Sequence, residues 1–215
     1  MLKIDIVADF VCPWCFIGKR RLETAVAMVR REDPDFRYET RWQPFFLNPD
    51  TPPEGEPYLP FLEHKFGSRA GVEALFERVR EAGRAYGIDY AFEKIRLRAN
   101  TLQAHRLLYW AQQRGNAHAL VERLFVAQFQ RGEAIGEPAT LTRLAVECGY
   151  VADEVAAYLA SGKDTDVVRE DERHIRTSGI RQVPTFILDG QRVIVGAEDP
   201  GILAAAIRQT PGFRK

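Results

Sequence analysis

The chain has 215 residues, 46% of them apolar and 28% charged, enough for a full hydrophobic core and too hydrophobic for a disordered chain. Thirty Lys and Arg balance thirty Asp and Glu, so no net field draws in nucleic acid or an anionic membrane. Three cysteines are too few for a disulfide scaffold, and a close pair among them reads as catalytic, redox-sensing or metal-binding.

Met1-Leu2-Lys3-Ile4-Asp5 enters a strand pattern at once, without a basic segment followed by a long apolar one, so no signal peptide is expected. No apolar run approaches the ~20 residues of a membrane span. The expectation is a cytoplasmic protein with neither membrane nor nucleic-acid partners. Leu2 to Ala8 reads as a strand apolar on both faces, as in a parallel sheet covered by helices. Next comes Asp9-Phe10-Val11-Cys12-Pro13-Trp14-Cys15, the most informative stretch of the chain. Ile17, Leu22, Ala25, Val26 and Val29 then recur at helical spacing, predicting a helix from Cys12 or Pro13 to Arg30 or Arg31, with Pro13 in its first turn. Phe36 to Gln43 alternates as a second strand, parallel to the first through a right-handed crossover.

From Pro44 to Pro60 six prolines argue against regular structure. A long, purely helical region follows, with helices over Ser68–Arg84, Thr101–Arg114, His118–Gln130, Pro138–Cys148, Asp153–Ala160 and Asp164–Thr177; Gly149 stands where a left-handed stop belongs. The period then changes. Thr185-Phe186-Ile187-Leu188, Asp189-Gly190 and Arg192-Val193-Ile194-Val195 form a predicted hairpin, and Pro200 to Arg208 a last helix. The order is β-α-β, an all-helical insertion, then β-β-α. Residues 1–55 and 177–215 are expected to make one discontinuous α/β domain, and residues 56–176 the helical insertion domain.

A dithiol that exchanges with disulfides needs two sulfurs able to pair, of which one is exposed. Two intervening residues at a helix start supply that geometry: Cys12 is expected to face outward as nucleophile and Cys15 to lie beneath it as resolving thiol. Unpaired N–H groups and the helix dipole are expected to stabilise the Cys12 thiolate. The competing reading of a CxxC is half a zinc site, which needs four ligands. The remaining candidates, Cys148 and four histidines, show no second local pair, so no metal is expected. Val183-Pro184, just before the third strand, is read as a cis-proline loop lying against the cysteines. Asp9 is read as a cap of the first helix, or as a buried acid beside Cys15. Asn100 is read as a helix cap or a cleft residue, His105 as a packing or cleft residue, and Cys148 as a small core hydrophobe.

At the blocks 9–20, 42–49, 100–106 and 179–186 the chain resembles the thioredoxin superfamily, specifically DsbA-type proteins with a helical insertion. Within these it is similar to the FrnE-like branch, related to 2-hydroxychromene-2-carboxylate isomerases and kappa-class glutathione transferases. The resemblance implies a thioredoxin-like α/β fold and dithiol–disulfide exchange at Cys12 and Cys15. Pro13, Trp14, Val183 and a cis Pro184 would support it, and a helical lid would cover the cysteines, with Asp9, Asn100 and His105 as candidate cleft residues. Its substrate would be a disulfide-containing protein or a small thiol or disulfide. No tightly bound cofactor is implied, and glutathione is a candidate co-substrate. The alternative is glutathione-dependent isomerisation or transfer on a small aromatic substrate. Relatives of that kind carry serine where this chain has Cys12, so the intact pair favours redox chemistry. Arg181-Gln182 replaces the small residue and glycine often found before this loop, putting bulk beside it.

Overall fold

The computed structural model describes residues 1–115 and 117–214. Its chain divides into two compact units, residues 1–45 with 171–215 and residues 46–170.

The first unit is built on a four-stranded sheet. β1 (Leu2–Ala8) pairs in parallel with β2 (Tyr38–Pro44), and antiparallel with β5 (Thr185–Leu188), which pairs in turn with β6 (Arg192–Val195). The order β2-β1-β5-β6 makes β1 central and joins the two ends of the chain in one sheet. β1 is apolar on both faces because both are covered. Ile4 and Ile6 lie opposite Leu188 and Phe186, on the face met by α1 (Pro13–Glu32), whose Gly18 approaches Phe186. α9 (Pro200–Gln209) packs against α1. On the other face Val7 joins Phe45 and Ile175, with Ile180, Val183 and Ile187 packed around them. Ile175 belongs to α8 (Thr165–Thr177), which runs across the boundary between the units. The Asp189-Gly190 turn has φ of 48° and 68° at its two residues, the positive-φ pair that a tight hairpin requires. The Asp189 carboxylate also accepts the Lys3 backbone N–H at 2.8 Å.

The second unit is mainly helical: α2 (Tyr58–Phe66), α3 (Arg69–Arg84), α4 (Leu102–Gln112), α5 (His118–Val126), α6 (Pro138–Glu147) and α7 (Ala152–Ala160). Ser68 caps α3 through its hydroxyl, which accepts the Gly71 N–H. Gly149, at φ 92°, follows α6.

Three features of this unit differ from the sequence expectation. The insertion is not purely helical: β3 (Glu56–Pro57) and β4 (Leu97–Arg98) make a separate two-stranded sheet. The proline-rich stretch gives way at Tyr58 to α2, which tolerates Pro60 because it falls in the first turn, where an N–H has no intrahelical partner. The expected helix over His118–Gln130 changes character at Ala127, where Ala127–Arg131 forms a π-helical turn. The spacing of apolar residues is much the same in either form, so periodicity could not foretell it.

An aromatic ladder supports that unit. Phe76 stacks on Phe92 at 4.2 Å between centroids and Phe92 on Tyr90 at 5.0 Å, while Phe129 from the π turn meets Tyr90 edge-on at 5.5 Å. Offset and edge-on pairs of this kind contribute about 0.5–1.5 kcal/mol each beyond the area they bury.

Candidate active site

The strand-to-helix turn places the two cysteines. β1 ends at Ala8, and the Cys12 backbone N–H returns to the Asp9 carbonyl at 3.1 Å, closing a turn that leaves Cys12 as the residue before α1. Cys12 has extended φ and ψ of −95° and 110°, and its own side chain does not cap the helix. Pro13 occupies the first helical position, no acid lies in the first turn, and Arg30 and Arg31 complement the dipole at the far end. The first-turn N–H groups and the positive end of a 20-residue helix are therefore directed at the cysteines.

Cys12 and Cys15 lie 3.4 Å apart as free thiols. Both are buried, at 4% and 1% exposure, which corrects the expectation of an exposed Cys12. The loop before β5 accounts for part of that cover. The Cys12 Sγ donates to the Val183 carbonyl at 3.8 Å, a reach specific to sulfur, and the Val183–Pro184 peptide bond is cis.

The inner thiol holds its proton tightly. Burial is the largest cause that pushes the Cys15 thiol well above its ordinary range; the hydrogen bond to Cys12 and the Cys12 charge add to it. A hydrogen bond from the Asp9 backbone opposes the shift, and the Asp9 negative charge reinforces it. Asp9 is 1% exposed. Cys12 rather than Asp9 is the residue before the helix, and the Asp9 charge acts on Cys15.

Gly18 was invisible to sequence reasoning. A Cβ there would sit 2.7 Å from Pro184 Cγ and 3.2 Å from its Cβ, so one bare turn of α1 lets the Pro184 loop close on the helix. Alanine inside a helix ordinarily gains up to ~1 kcal/mol over glycine. Here overpacking at about 1–3 kcal/mol is expected to outweigh that gain, so Gly18→Ala should lower the denaturant midpoint; an equal or higher midpoint would show that the loop yields freely. Lys19, one residue on, is buried rather than solvated and is paired with Glu23 at 2.6 Å.

The remaining candidates lie in the second unit. Asn100 caps α4: its side-chain oxygen accepts the Leu102 N–H at 3.1 Å, and its amide donates to the Thr51 carbonyl at 2.7 Å. His105 is buried on α4, with its ring edge-on to Phe46 at 5.6 Å. Cys148 is half-buried at the end of α6, and burial raises its thiol pKa. Among the described residues no group of three or more His, Cys, Asp or Glu comes together to hold a metal, and no helix is long and apolar enough to cross a membrane.

A cysteine pair at the start of the first helix and a proline loop against it, in this strand order, are the marks of a thioredoxin-like scaffold. The chain belongs to the DSBA-like thioredoxin domain family, which it matches over residues 3–208. It is similar to a probable DsbA oxidoreductase from Streptomyces coelicolor, with 31% identity and a TM-score of 0.88 over 100% of this chain and 92% of that one. An uncharacterized protein of Bacillus subtilis is 29% identical over 96% of each chain. A cytosolic disulfide reductase from Pseudomonas aeruginosa, whose structure holds glutathione, shares the fold at 18% identity, with a TM-score of 0.62 over 96% and 97% of the two chains. The fold is thus the DsbA-like thioredoxin fold with a helical insertion.

Proposed function

We propose that this member of an oxidoreductase family is a thiol–disulfide oxidoreductase that works through Cys12 and Cys15. The observation that carries the reading is the pair itself: free thiols 3.4 Å apart at a helix N-terminus, with the inner one held protonated by burial. In the reducing direction the Cys12 thiolate attacks a substrate disulfide, forms a mixed disulfide and releases the first substrate thiol. Cys15 then loses its proton and attacks the Cys12 sulfur, releasing the second thiol and leaving the Cys12–Cys15 disulfide. The negative charge of Asp9 helps to hold that proton on Cys15 until it passes to solvent. Oxidation of substrate dithiols is the same sequence reversed.

Pro13 and Trp14 shape the first turn, and Val183 and Pro184 form the loop that receives an extended substrate. Asn100 and His105 support α4 in this reading. The chemistry suits a protein disulfide or a small one, and glutathione, present in a structure of the same fold, is the co-substrate to test first. A location in the reducing cytoplasm is proposed alongside it.

The test is a redox titration. The protein is equilibrated in glutathione buffers of stepped ratio, quenched with a thiol-reactive mass tag and scored for the Cys12–Cys15 disulfide. The expected result is one two-electron transition confined to these residues, in which 30 mV separates states by about 1.4 kcal/mol. A pair that never closes, or that closes equally in denaturant and in the folded protein, would overturn the reading.

A further inference from the structure

The segment between α8 and β5 is pinned at both ends and open in the middle. At its start the Gly179 N–H bonds the Arg176 carbonyl at 3.1 Å, and the Ile180 N–H bonds the Ile175 carbonyl at 3.4 Å. At its end the Thr185 hydroxyl donates to the Gln182 carbonyl at 2.7 Å. Ile180 and Val183 pack on the Val7–Phe45–Ile175 cluster, while Arg181 and Gln182 between them are exposed. Arg181 makes no ion pair or side-chain hydrogen bond among the described residues. Its neighbour Arg176, by contrast, is compensated: it is paired with Glu172 and lies over the Phe45 ring at 4.2 Å. Two residues of chain span at most about 7 Å, so the Arg181 backbone lies within that reach of Val183, whose carbonyl meets the Cys12 sulfur, and the Arg181 side chain is exposed.

We propose that Arg181 makes this protein selective for disulfides flanked by carboxylates. The inference rests on the Cys12/Cys15 exchange proposed above and names its substrate class. A substrate lying along the loop to present its disulfide to Cys12 must pass this cation, and a carboxylate beside the reacting sulfur meets it at the edge of the site. No acid of the helix start offsets the charge, since the first turn of α1 has none and Asp9 is buried. The guanidinium offers two parallel N–H donors to a carboxylate, which an ammonium does not. The interaction is made at an exposed position, so salt screens it. Electrons balance within the exchange: the substrate disulfide is reduced to two thiols as Cys12 and Cys15 are oxidised to their disulfide.

The test is single-turnover oxidation of the fully reduced protein by three short peptide disulfides, flanked by glutamate, by glutamine or by lysine. Each variant's rates are divided by its own rate with the glutamine-flanked peptide. For the native protein the acidic peptide is expected to react roughly three- to tenfold faster than the basic one at low ionic strength, with the gap closing in high salt. Arg181→Gln should level the series and Arg181→Glu should invert it, whereas Arg181→Lys should keep the order with a smaller spread. Equal rates for the acidic and basic peptides, or a preference that survives Arg181→Gln, would overturn the assignment while leaving the exchange reaction intact. Failure of the native protein to close the Cys12–Cys15 disulfide on any peptide would overturn both readings.

Discussion

Replacing Cys12 with serine is expected to abolish disulfide exchange, while replacing Cys15 with serine should leave the first step intact and trap the protein as a mixed disulfide. The asymmetry follows from the inner thiol. With Cys15 held protonated well above the ordinary thiol range, it is not the attacking group near neutral pH, so Cys12→Ser should lose at least about a thousandfold in rate, as expected when a weakly nucleophilic alcohol replaces the attacking sulfur. Non-reducing mass spectrometry of each variant with a peptide disulfide separates the outcomes. Native-like turnover by Cys12→Ser, or no adduct on Cys15→Ser, would refute the division of roles.

The same shift gives the pH dependence of the second step. Two causes of the Cys15 shift, the hydrogen bond to Cys12 and its charge, vanish once the Cys12 sulfur is bonded to substrate; burial, the largest, stays. Resolution of the mixed disulfide should therefore rise about tenfold per pH unit from neutral until the Cys15 pKa is reached. The effect on stability has the opposite sign. A thiol whose pKa is raised by folding contributes its full stability below the unfolded-state value of ~8.5 and loses it as pH rises towards the folded value. The reduced protein should then weaken in alkali more than Cys15→Ser does, as denaturant melts across pH 7 to 10 would show.

The second large effect lies in the helical unit. Arg106, fully buried on α4, pairs with no carboxylate among the described residues. Its guanidinium donates to the Lys163 carbonyl at 2.9 and 2.6 Å and to those of Leu159 and Tyr158 at 3.2 Å, closing the C-terminal end of α7; it also bonds the Gln103 side chain. Tyr158 answers with its hydroxyl, which donates to the Arg106 carbonyl at 3.1 Å. A cation on the last carbonyls of a helix is at the favourable end of its dipole. Arg106→Leu removes every one of these donors at once and strands buried carbonyls, so about 3–5 kcal/mol of stability should go. For a domain of this size that is a fall in Tm of roughly 6–20 °C. Arg106→Lys, which keeps the charge but loses the fork, should fall between. A loss below ~1 kcal/mol in Arg106→Leu would mean that water replaces the guanidinium without cost.

What a local pattern encodes was legible. A strand apolar on both faces, a CxxC with proline at the first helical position and an Asp-Gly hairpin each depend on neighbours in sequence, and each stands where expected. Arg106 was legible only as one letter of a motif, because the carbonyls it holds lie more than fifty residues away. α2 was hidden by prolines whose cost depends on where in the helix they fall, and the π turn by a periodicity it shares with an α-helix.

The cysteine pair shows where that boundary runs. Spacing and helix position by themselves determined which residues would form the dithiol and which would sit inward. Tertiary structure decided the rest: it buried Cys12 as well as Cys15, set the Val183 carbonyl against the outer sulfur, brought Pro184 onto Gly18 and placed the Asp9 charge by the inner thiol. Burial and electrostatics depend on what arrives from the far end of the chain, here a loop some 170 residues away from Cys12. A sequence window of a dozen residues does not contain that information.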